Sequence, residues 1–165
     1  MDFNPIDKIN ELIRIFEEHN PIIRSKANEG YEWLEESSLC IEIPNPNSDD
    51  SITIECEDGG EFTVCFSYCH SHFFANDFGF DYMCKEISDI LYSKCCSAAL
   101  FCGSENEWFG STLAEKDQIL SPIEDVFDFV FENVNLAEKL YKNGGEARFN
   151  FWDSKLNKKI KIGNI

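Results

Sequence analysis

Hydrophobic residues recur at every second position in three short segments between Leu39 and Phe66, and turn-forming residues separate the segments. A period of two places successive side chains on opposite faces of a β-strand, so each segment has one apolar and one more polar face. Asp58-Gly59, between the second and third segments, suits a tight hairpin turn. The pattern predicts three consecutive antiparallel strands with these residues on their apolar faces: Leu39, Ile41, Ile43, Ile52, Ile54, Cys56, Phe62, Val64 and Phe66.

Two histidines follow the third segment, in the sequence Cys69-His70-Ser71-His72. If the strand that starts at Phe62 continues this far, the same period puts both histidines on the apolar face, toward the core. An Asn-Asp-Phe-Gly loop comes next, and hydrophobic residues from Phe80 to Leu91 then recur at helical spacing. We therefore predict a corner of strand, loop and helix, where either a binding site or a structural contact can lie.

Helical and strand-like patterns alternate along the rest of the chain. The predicted order is helix, three strands, helix, two strands, helix and two strands, with short connections that favour antiparallel pairing. The 165 residues are the length of one domain. We predict a single acidic α+β domain over residues 1–165. It is expected to contain a twisted, mainly antiparallel sheet of about seven strands with helices packed mainly on one face.

The chain is strongly acidic, with 31 Asp and Glu residues against 14 Lys and Arg residues and a net charge of −17. Lys and Arg are absent between Lys26 and Lys85, where acidic residues are frequent. The 15 phenylalanines argue for a folded chain whose surface carries this charge. A field of this sign repels nucleic acids and anionic membranes and attracts basic proteins. We expect a basic protein as the partner, and neither nucleic acid nor membrane.

The eight cysteines occupy mostly apolar positions, where a reduced thiol packs as a small hydrophobic group. The N-terminal sequence MDFNPIDKINE has neither the basic region nor the apolar run of a signal peptide. No apolar run approaches the ~20 residues that a membrane span needs. These features predict a soluble protein of the reducing cytoplasm.

The histidine pair is the main candidate for a metal site. Imidazole, carboxylate and thiolate ligands suit zinc, and Asp77, Asp81 or Cys84 could complete a site with His70 and His72. The sequence has no matching second half of a zinc motif, no Gly-x-Ser-x-Gly elbow and no glycine-rich phosphate loop. We expect neither catalysis nor a cofactor, and the alternative is a small metal-dependent hydrolase centred on His70 and His72.

A small acidic α+β domain without a signal peptide or catalytic motif resembles the immunity proteins of bacterial polymorphic toxin and contact-dependent growth inhibition systems. Two segments add to the resemblance: Phe66-Ser67-Tyr68-Cys69-His70-Ser71-His72-Phe73, followed by Asp77 and a helix, and Phe151-Trp152-Asp153-Ser154-Lys155. The resemblance implies a cytoplasmic protein that is produced beside a toxin and blocks the toxin's C-terminal domain. Such domains are often basic nucleases, which agrees with the charge of this chain.

The leading hypothesis is therefore a non-catalytic protein that binds and neutralises a cognate toxin through an acidic surface. A structural adaptor with an unrelated partner is a further alternative. Aromatic anchors are expected at the centre of such an interface, and the candidates are Tyr31, Trp33, Tyr68, Phe73, Phe74, Trp108 and Phe109. The acidic residues expected to contact the partner are Glu32, Glu35, Glu36, Glu55, Glu57, Asp58 and Glu61.

Overall fold

The computed structural model describes residues 3–163 and has an α+β architecture with two antiparallel sheets, of five and four strands. By its internal contacts the chain divides after Ser88 into two compact units. The predicted α+β class and antiparallel pairing are confirmed, whereas the strands form two sheets rather than one sheet of about seven strands. The single domain over residues 1–165 stays a prediction.

The sheet of the first unit is a meander in which every strand is antiparallel to the next. Its strands are β1 (Ile22–Arg24), β2 (Leu39–Ile43), β3 (Ile52–Cys56), β4 (Phe62–Phe66) and β5 (Cys69–Phe73). The period of two predicted in β2, β3 and β4 is confirmed, since their apolar positions are buried apart from Leu39, which is partly exposed. This buried side is called the inner face of the sheet, and the opposite side is the outer face.

The prediction that His70 and His72 lie on the inner face is wrong. The chain turns at Ser67-Tyr68, where Ser67 has a φ of 53°, and Phe66 then pairs with Cys69 across the turn. Directly opposite residues of an antiparallel pair share a face. His70 pairs with Cys65 and His72 with Thr63, so both histidines lie on the outer face, where both are exposed.

The first unit also contains α1 (Ile9–Ile15) and all but the last three residues of α2 (Asp77–Leu91). Short 3-10 turns, Pro5–Lys8 and Glu17–His19, flank α1. The helical spacing predicted from Phe80 to Leu91 is confirmed, because Phe80, Met83, Ile87, Ile90 and Leu91 are all buried. Phe80 of α2 packs against Phe62 of the inner face, with ring centroids 5.9 Å apart. The hydrophobic core of this unit therefore lies on the inner side of its sheet.

The second unit contains β6 (Cys95–Cys102), β7 (Glu107–Glu115), β8 (Gly145–Asn150) and β9 (Lys158–Ile162), in the sheet order β7-β6-β8-β9. The third predicted helix is divided into α3 (Ile123–Val126), α4 (Asp128–Phe131) and α5 (Val134–Asn143). A separate start for α5 follows from Asn133, whose side chain accepts a hydrogen bond from the backbone nitrogen of Leu136. Helix and sheet residues share one buried cluster, in which Phe127 contacts Phe149 with centroids 6.2 Å apart.

Candidate partner-binding surface

Four of the predicted contact residues lie together around the outer face of the first sheet. Glu55 of β3 lies on the outer face and is partly buried. Burial raises the pKa of the Glu55 carboxyl, and the carboxylates of Glu57, Glu35 and Glu61 raise it further. These four residues, Glu35, Glu55, Glu57 and Glu61, are called the acidic cluster. Glu35 comes from the segment between β1 and β2, so tertiary structure brings it to the hairpin that carries the other three.

The turn between β3 and β4 holds Glu57 and Glu61 in place. The backbone nitrogen of Glu57 donates to the carbonyl oxygen of Glu61 at 3.2 Å, and the nitrogen of Gly60 donates to the carbonyl oxygen of Glu57 at 3.2 Å. Gly59 has a φ of +71° but Asp58 does not have a positive φ, so the turn is not the primed type that the Asp-Gly pair predicts. A Cβ atom at Gly60 would collide with the carboxylate of Glu57, so glycine leaves room for this side chain to lie over the turn. The hairpin therefore displays its carboxylates in a defined arrangement.

The histidine pair borders the acidic cluster. His72 Nδ1 lies 2.7 Å from the Oε1 atom of Glu61 and 3.3 Å from the Oγ1 atom of Thr63. The ring of His70 is perpendicular to that of His72, with centroids 5.2 Å apart. Strand β5 is at the edge of its sheet, so the two rings are presented on the outer face beside a sheet edge. The sequence placed them in the core, and no local signal marked the contact between His72 and Glu61.

The remaining three predicted residues make contacts of their own. Asp58 accepts a hydrogen bond from the Nδ2 atom of Asn4 at 2.7 Å. Glu32 accepts from the backbone nitrogen of Gly30 at 3.2 Å, and Glu36 lies 3.2 Å from the Nζ atom of Lys26. All three carboxylates are exposed. Their participation in partner binding stays a prediction.

An exposed tryptophan accompanies the acidic cluster in sequence. Trp33 is 56% exposed, and its Nε1 atom donates to the carbonyl oxygen of Gly30 at 3.1 Å. Its ring lies 6.2 Å from that of Tyr31, measured between centroids. Of the other predicted anchors, Phe74 and Trp108 are strongly exposed and Phe73 is buried. Trp33 is two residues from Glu35, so the segment that supplies one carboxylate of the cluster also supplies an aromatic anchor.

An ion pair that sequence reasoning missed lies on the same outer face. Arg24 of β1 donates to Glu42 of β2 at 2.7 Å, and its guanidinium lies 5.6 Å from the centre of the Tyr31 ring. Burial raises the pKa of Tyr31 to about 12, assisted by the hydrogen bond between its hydroxyl and Glu42. Cys40, opposite Arg24 in the sheet, is fully buried although it belongs to this face. Strand β1 has three residues, too few for a periodic signal in the sequence.

The residues of the metal-site alternative do not form such a site. Within residues 3–163 the structure contains no group of three or more His, Cys, Asp and Glu side chains arranged to hold a metal ion. Asp77 and Asp81 are exposed on α2 and interact electrostatically with Lys8, which donates to Glu11 at 2.9 Å. His70 and His72 lie on β5. The arrangement therefore offers no geometric support for a metal-dependent hydrolase.

Comparison with protein-family models, curated proteins and solved structures finds no match to this chain. Among the described residues, no helix combines the length and the apolar character that crossing a bilayer requires. The interpretation of the acidic cluster therefore rests on its own geometry and charge.

Proposed function

We propose that this chain is a non-catalytic binding protein that neutralises a basic toxin domain, as immunity proteins do, by covering its active site with an acidic surface. The observation that carries the proposal is the convergence of Glu35, Glu55, Glu57 and Glu61, with the raised pKa of Glu55 as its electrostatic consequence. A basic nuclease domain is the partner that this chemistry fits best, because its active site ordinarily accommodates phosphates.

Mutual repulsion within the acidic cluster supports a cationic partner. Carboxylates close to one another destabilise each other's charged form, which is the reason that the pKa of Glu55 is raised beyond the effect of burial. Lysine or arginine side chains of a partner would relieve this repulsion on binding. Complementary charge also accelerates diffusional encounter, and the acceleration falls with ionic strength.

The exposed ring of Trp33 supports a protein interface in particular. Tryptophan is among the residues that contribute most to binding free energy when an interface buries them, usually at its centre and surrounded by polar contacts. Trp33 is already oriented by the hydrogen bond from its Nε1 atom to Gly30. Its side chain would therefore lose little conformational freedom on binding.

The test is toxin neutralisation in cells. The probe is the C-terminal domain of a large secreted protein encoded by a gene adjacent to that of this chain. Co-expression of this chain is expected to restore growth of cells that produce that domain, and purified chain is expected to form a complex with it. Absence of both protection and binding would overturn the proposal, and binding without protection would favour the structural adaptor.

Reversing the charge of the hairpin carboxylates tests whether the acidic cluster is the surface that binds the toxin domain. The variant Glu57→Lys/Asp58→Lys/Glu61→Lys is expected to slow association with the toxin domain by at least about tenfold at low ionic strength. The matched control, Asp117→Lys/Asp125→Lys/Glu132→Lys, makes the same change of net charge at exposed positions of the second unit. Equal slowing by the two variants would mean that net charge, and not the acidic cluster, attracts the partner.

A further inference from the structure

Three large aromatic side chains at intervals of four residues are exposed at the start of α2. Phe74 is 78% exposed, Phe78 is 79% exposed and Tyr82 is 56% exposed. Phe78 and Tyr82 lie one helical turn apart, and their rings are parallel within 6° with centroids 6.4 Å apart. Phe74, Phe78 and Tyr82 are called the aromatic row. The row is separate in sequence from the acidic cluster, and of its three rings only Phe74 is among the predicted aromatic anchors.

The backbone holds Phe74 against the first turn of the helix. The nitrogen of Asn76 donates to the carbonyl oxygen of Phe74 at 2.8 Å, and the side chain of Asn76 accepts from the nitrogen of Gly79 at 2.7 Å. A Cβ atom at position 79 would collide with the Phe74 carbonyl oxygen, so the close approach requires Gly79. The ring of Phe74 is thus displayed on an ordered turn.

The charges beside the aromatic row are mainly negative. Asp77 directly precedes Phe78, and Asp81 directly precedes Tyr82. One helical position corresponds to a rotation of about 100°, so the two aspartates lie beside the aromatic row on the helix surface. Both aspartates are exposed. Lys85 follows Tyr82 by three positions and is exposed on nearly the same side of α2, where acidic Glu86 is its neighbour in sequence. A surface that combines exposed rings with negative charge is complementary to a cationic side chain that can also stack.

The same helix already binds a cation on a ring. The ammonium group of Lys8 lies 4.8 Å from the centroid of Phe80, within the range of a cation–π contact. Asp77 and Asp81 contribute to the electrostatic stabilisation of this ammonium group. Phe78 directly follows Asp77 and Tyr82 directly follows Asp81, and both present their rings to solvent.

We propose that the aromatic row is a docking surface for a basic segment of a protein partner, in which an arginine guanidinium stacks on Phe78 and Tyr82 and its charge is balanced by Asp77 and Asp81. Arginine suits this surface better than lysine, because its planar group stacks on aromatic rings and is less strongly hydrated. A second copy of the chain fits less well, because each copy has a net charge of −17 and would bring its own aspartates to the contact.

The test measures binding of defined peptides and does not depend on identifying a toxin. The probes are fluorescein-labelled peptides of alternating Ala and Arg, Ala and Lys, and Ala and Glu, at an ionic strength of about 0.15 M, where long-range charge effects are screened. We expect the Arg peptide to bind more tightly than the Lys peptide, and the Glu peptide not to bind. The variant Phe78→Ala/Tyr82→Ala is expected to weaken binding of the Arg peptide about tenfold.

Two variants test whether the effect is specific to the aromatic row. One removes an exposed ring elsewhere, and the other removes negative charge elsewhere. Phe129→Ala removes another exposed ring, in the second unit, and is expected to leave Arg-peptide affinity unchanged. Glu57→Gln/Glu61→Gln lowers the negative charge of the acidic cluster, and the tenfold effect of the row variant is expected to persist in this background. Equal affinities of the wild type and Phe78→Ala/Tyr82→Ala would overturn the proposal.

The nature of the contact is tested by Phe78→Leu/Tyr82→Leu, which retains apolar side chains without aromatic rings. Arg-peptide affinity is expected to fall as in the alanine variant, and wild-type affinity would overturn stacking as the mode of binding. Sedimentation measures self-association. A wild-type dimer that Phe78→Ala/Tyr82→Ala converts to a monomer would overturn the basic segment and identify a second copy as the occupant.

Discussion

Phe80 of α2 packs against Phe62 of β4, with ring centroids 5.9 Å apart and ring planes tilted by 51°. Phe78, two positions earlier in the same helix, is 79% exposed, whereas Phe80 is 4% exposed. Two successive helical positions rotate a side chain by about 200°, which places the two rings on opposite sides of α2. Phenylalanine is therefore a core residue at position 80 and a surface residue at position 78.

Replacement of these two phenylalanines by alanine should affect stability very differently. Phe80→Ala removes a buried ring and is expected to lower the free energy of unfolding by about 3–5 kcal/mol. Phe78→Ala, the matched control in the same helix, is expected to change it by no more than about 0.5 kcal/mol. Urea denaturation followed by circular dichroism measures both. Similar losses in the two variants would contradict the assignment of Phe78 to the surface.

Neutralisation of Glu55 should stabilise the protein. Because burial and neighbouring carboxylates raise the pKa of Glu55 in the folded state, its ionised form opposes folding. The free energy of unfolding should therefore fall as the pH rises from the ordinary glutamate value of about 4.3 through the raised folded value. Glu55→Gln is expected to remove this decrease and to raise stability at neutral pH by up to ~1 kcal/mol, the scale of partly exposed charges.

Thermal unfolding between about pH 4 and pH 7 measures this effect, since the window contains the ordinary glutamate pKa and the region above it. Glu132→Gln, at an exposed position of the second unit, is the control for the loss of one negative charge. A Glu55→Gln variant that is less stable than wild type at pH 7 would show that the Glu55 carboxylate contributes favourable contacts that outweigh repulsion.

The hairpin turn should depend on Gly59. Alanine at this position must adopt a φ of +71°, which costs about 1 kcal/mol relative to glycine. Gly163→Ala is the control, because a Cβ atom there meets no atom within 4 Å. Urea denaturation should show the loss for Gly59→Ala alone. An unchanged urea midpoint for Gly59→Ala would mean that the turn adopts another conformation at no cost in stability. The rate of association with a basic partner would then show whether the carboxylates of the hairpin have moved.

The cysteines should differ in reactivity. Cys56 is fully buried, and burial raises the pKa of its thiol to about 12. Cys65 is partly exposed. Burial raises the pKa of Cys65 as well, but a hydrogen bond from Thr53 opposes this effect. Alkylation by iodoacetamide requires an accessible thiolate. Native Cys65 is therefore expected to react at least about tenfold faster than Cys56.

Mass spectrometry after cleavage at glutamate separates the two thiols, because Glu57 and Glu61 lie between them and no Lys or Arg does. In denaturant the two rates should become similar, which controls for the reagent. Faster alkylation of Cys56 than of Cys65 in the native protein would contradict the burial of β3 on its inner face.

The strands with a clear period of two were predictable because their signal is local. Ile52, Ile54, Phe62 and Val64 are all buried as the alternation indicated. The failure at His70 and His72 came from one turn: Ser67 adopts a φ of 53° without glycine or an Asx residue to mark it. The prediction continued one strand through Ser67 and Tyr68, where the chain in fact turns back. Because the turn changes which residues share a face, the prediction placed both histidines in the core instead of on the surface.

The acidic cluster was predictable in part. Glu55, Glu57 and Glu61 flank an Asp-Gly turn, and a hairpin brings such residues together by its local geometry. The participation of Glu35 depended on the path of the chain before β2, where the sequence has no periodic pattern. The contact of His72 with Glu61 likewise required the pairing of β5 with β4.

The amino-acid sequence by itself determined the acidic charge, the apolar faces of β2, β3, β4 and α2, and the antiparallel α+β class. These properties depend on residue type and on spacing within a single element, which a linear pattern contains. Tertiary structure decided the division of nine described strands into two sheets, the outer position of the histidine pair and the convergence of Glu35 with the hairpin. Strand register and loop paths depend on contacts between distant segments, and no local period encodes them.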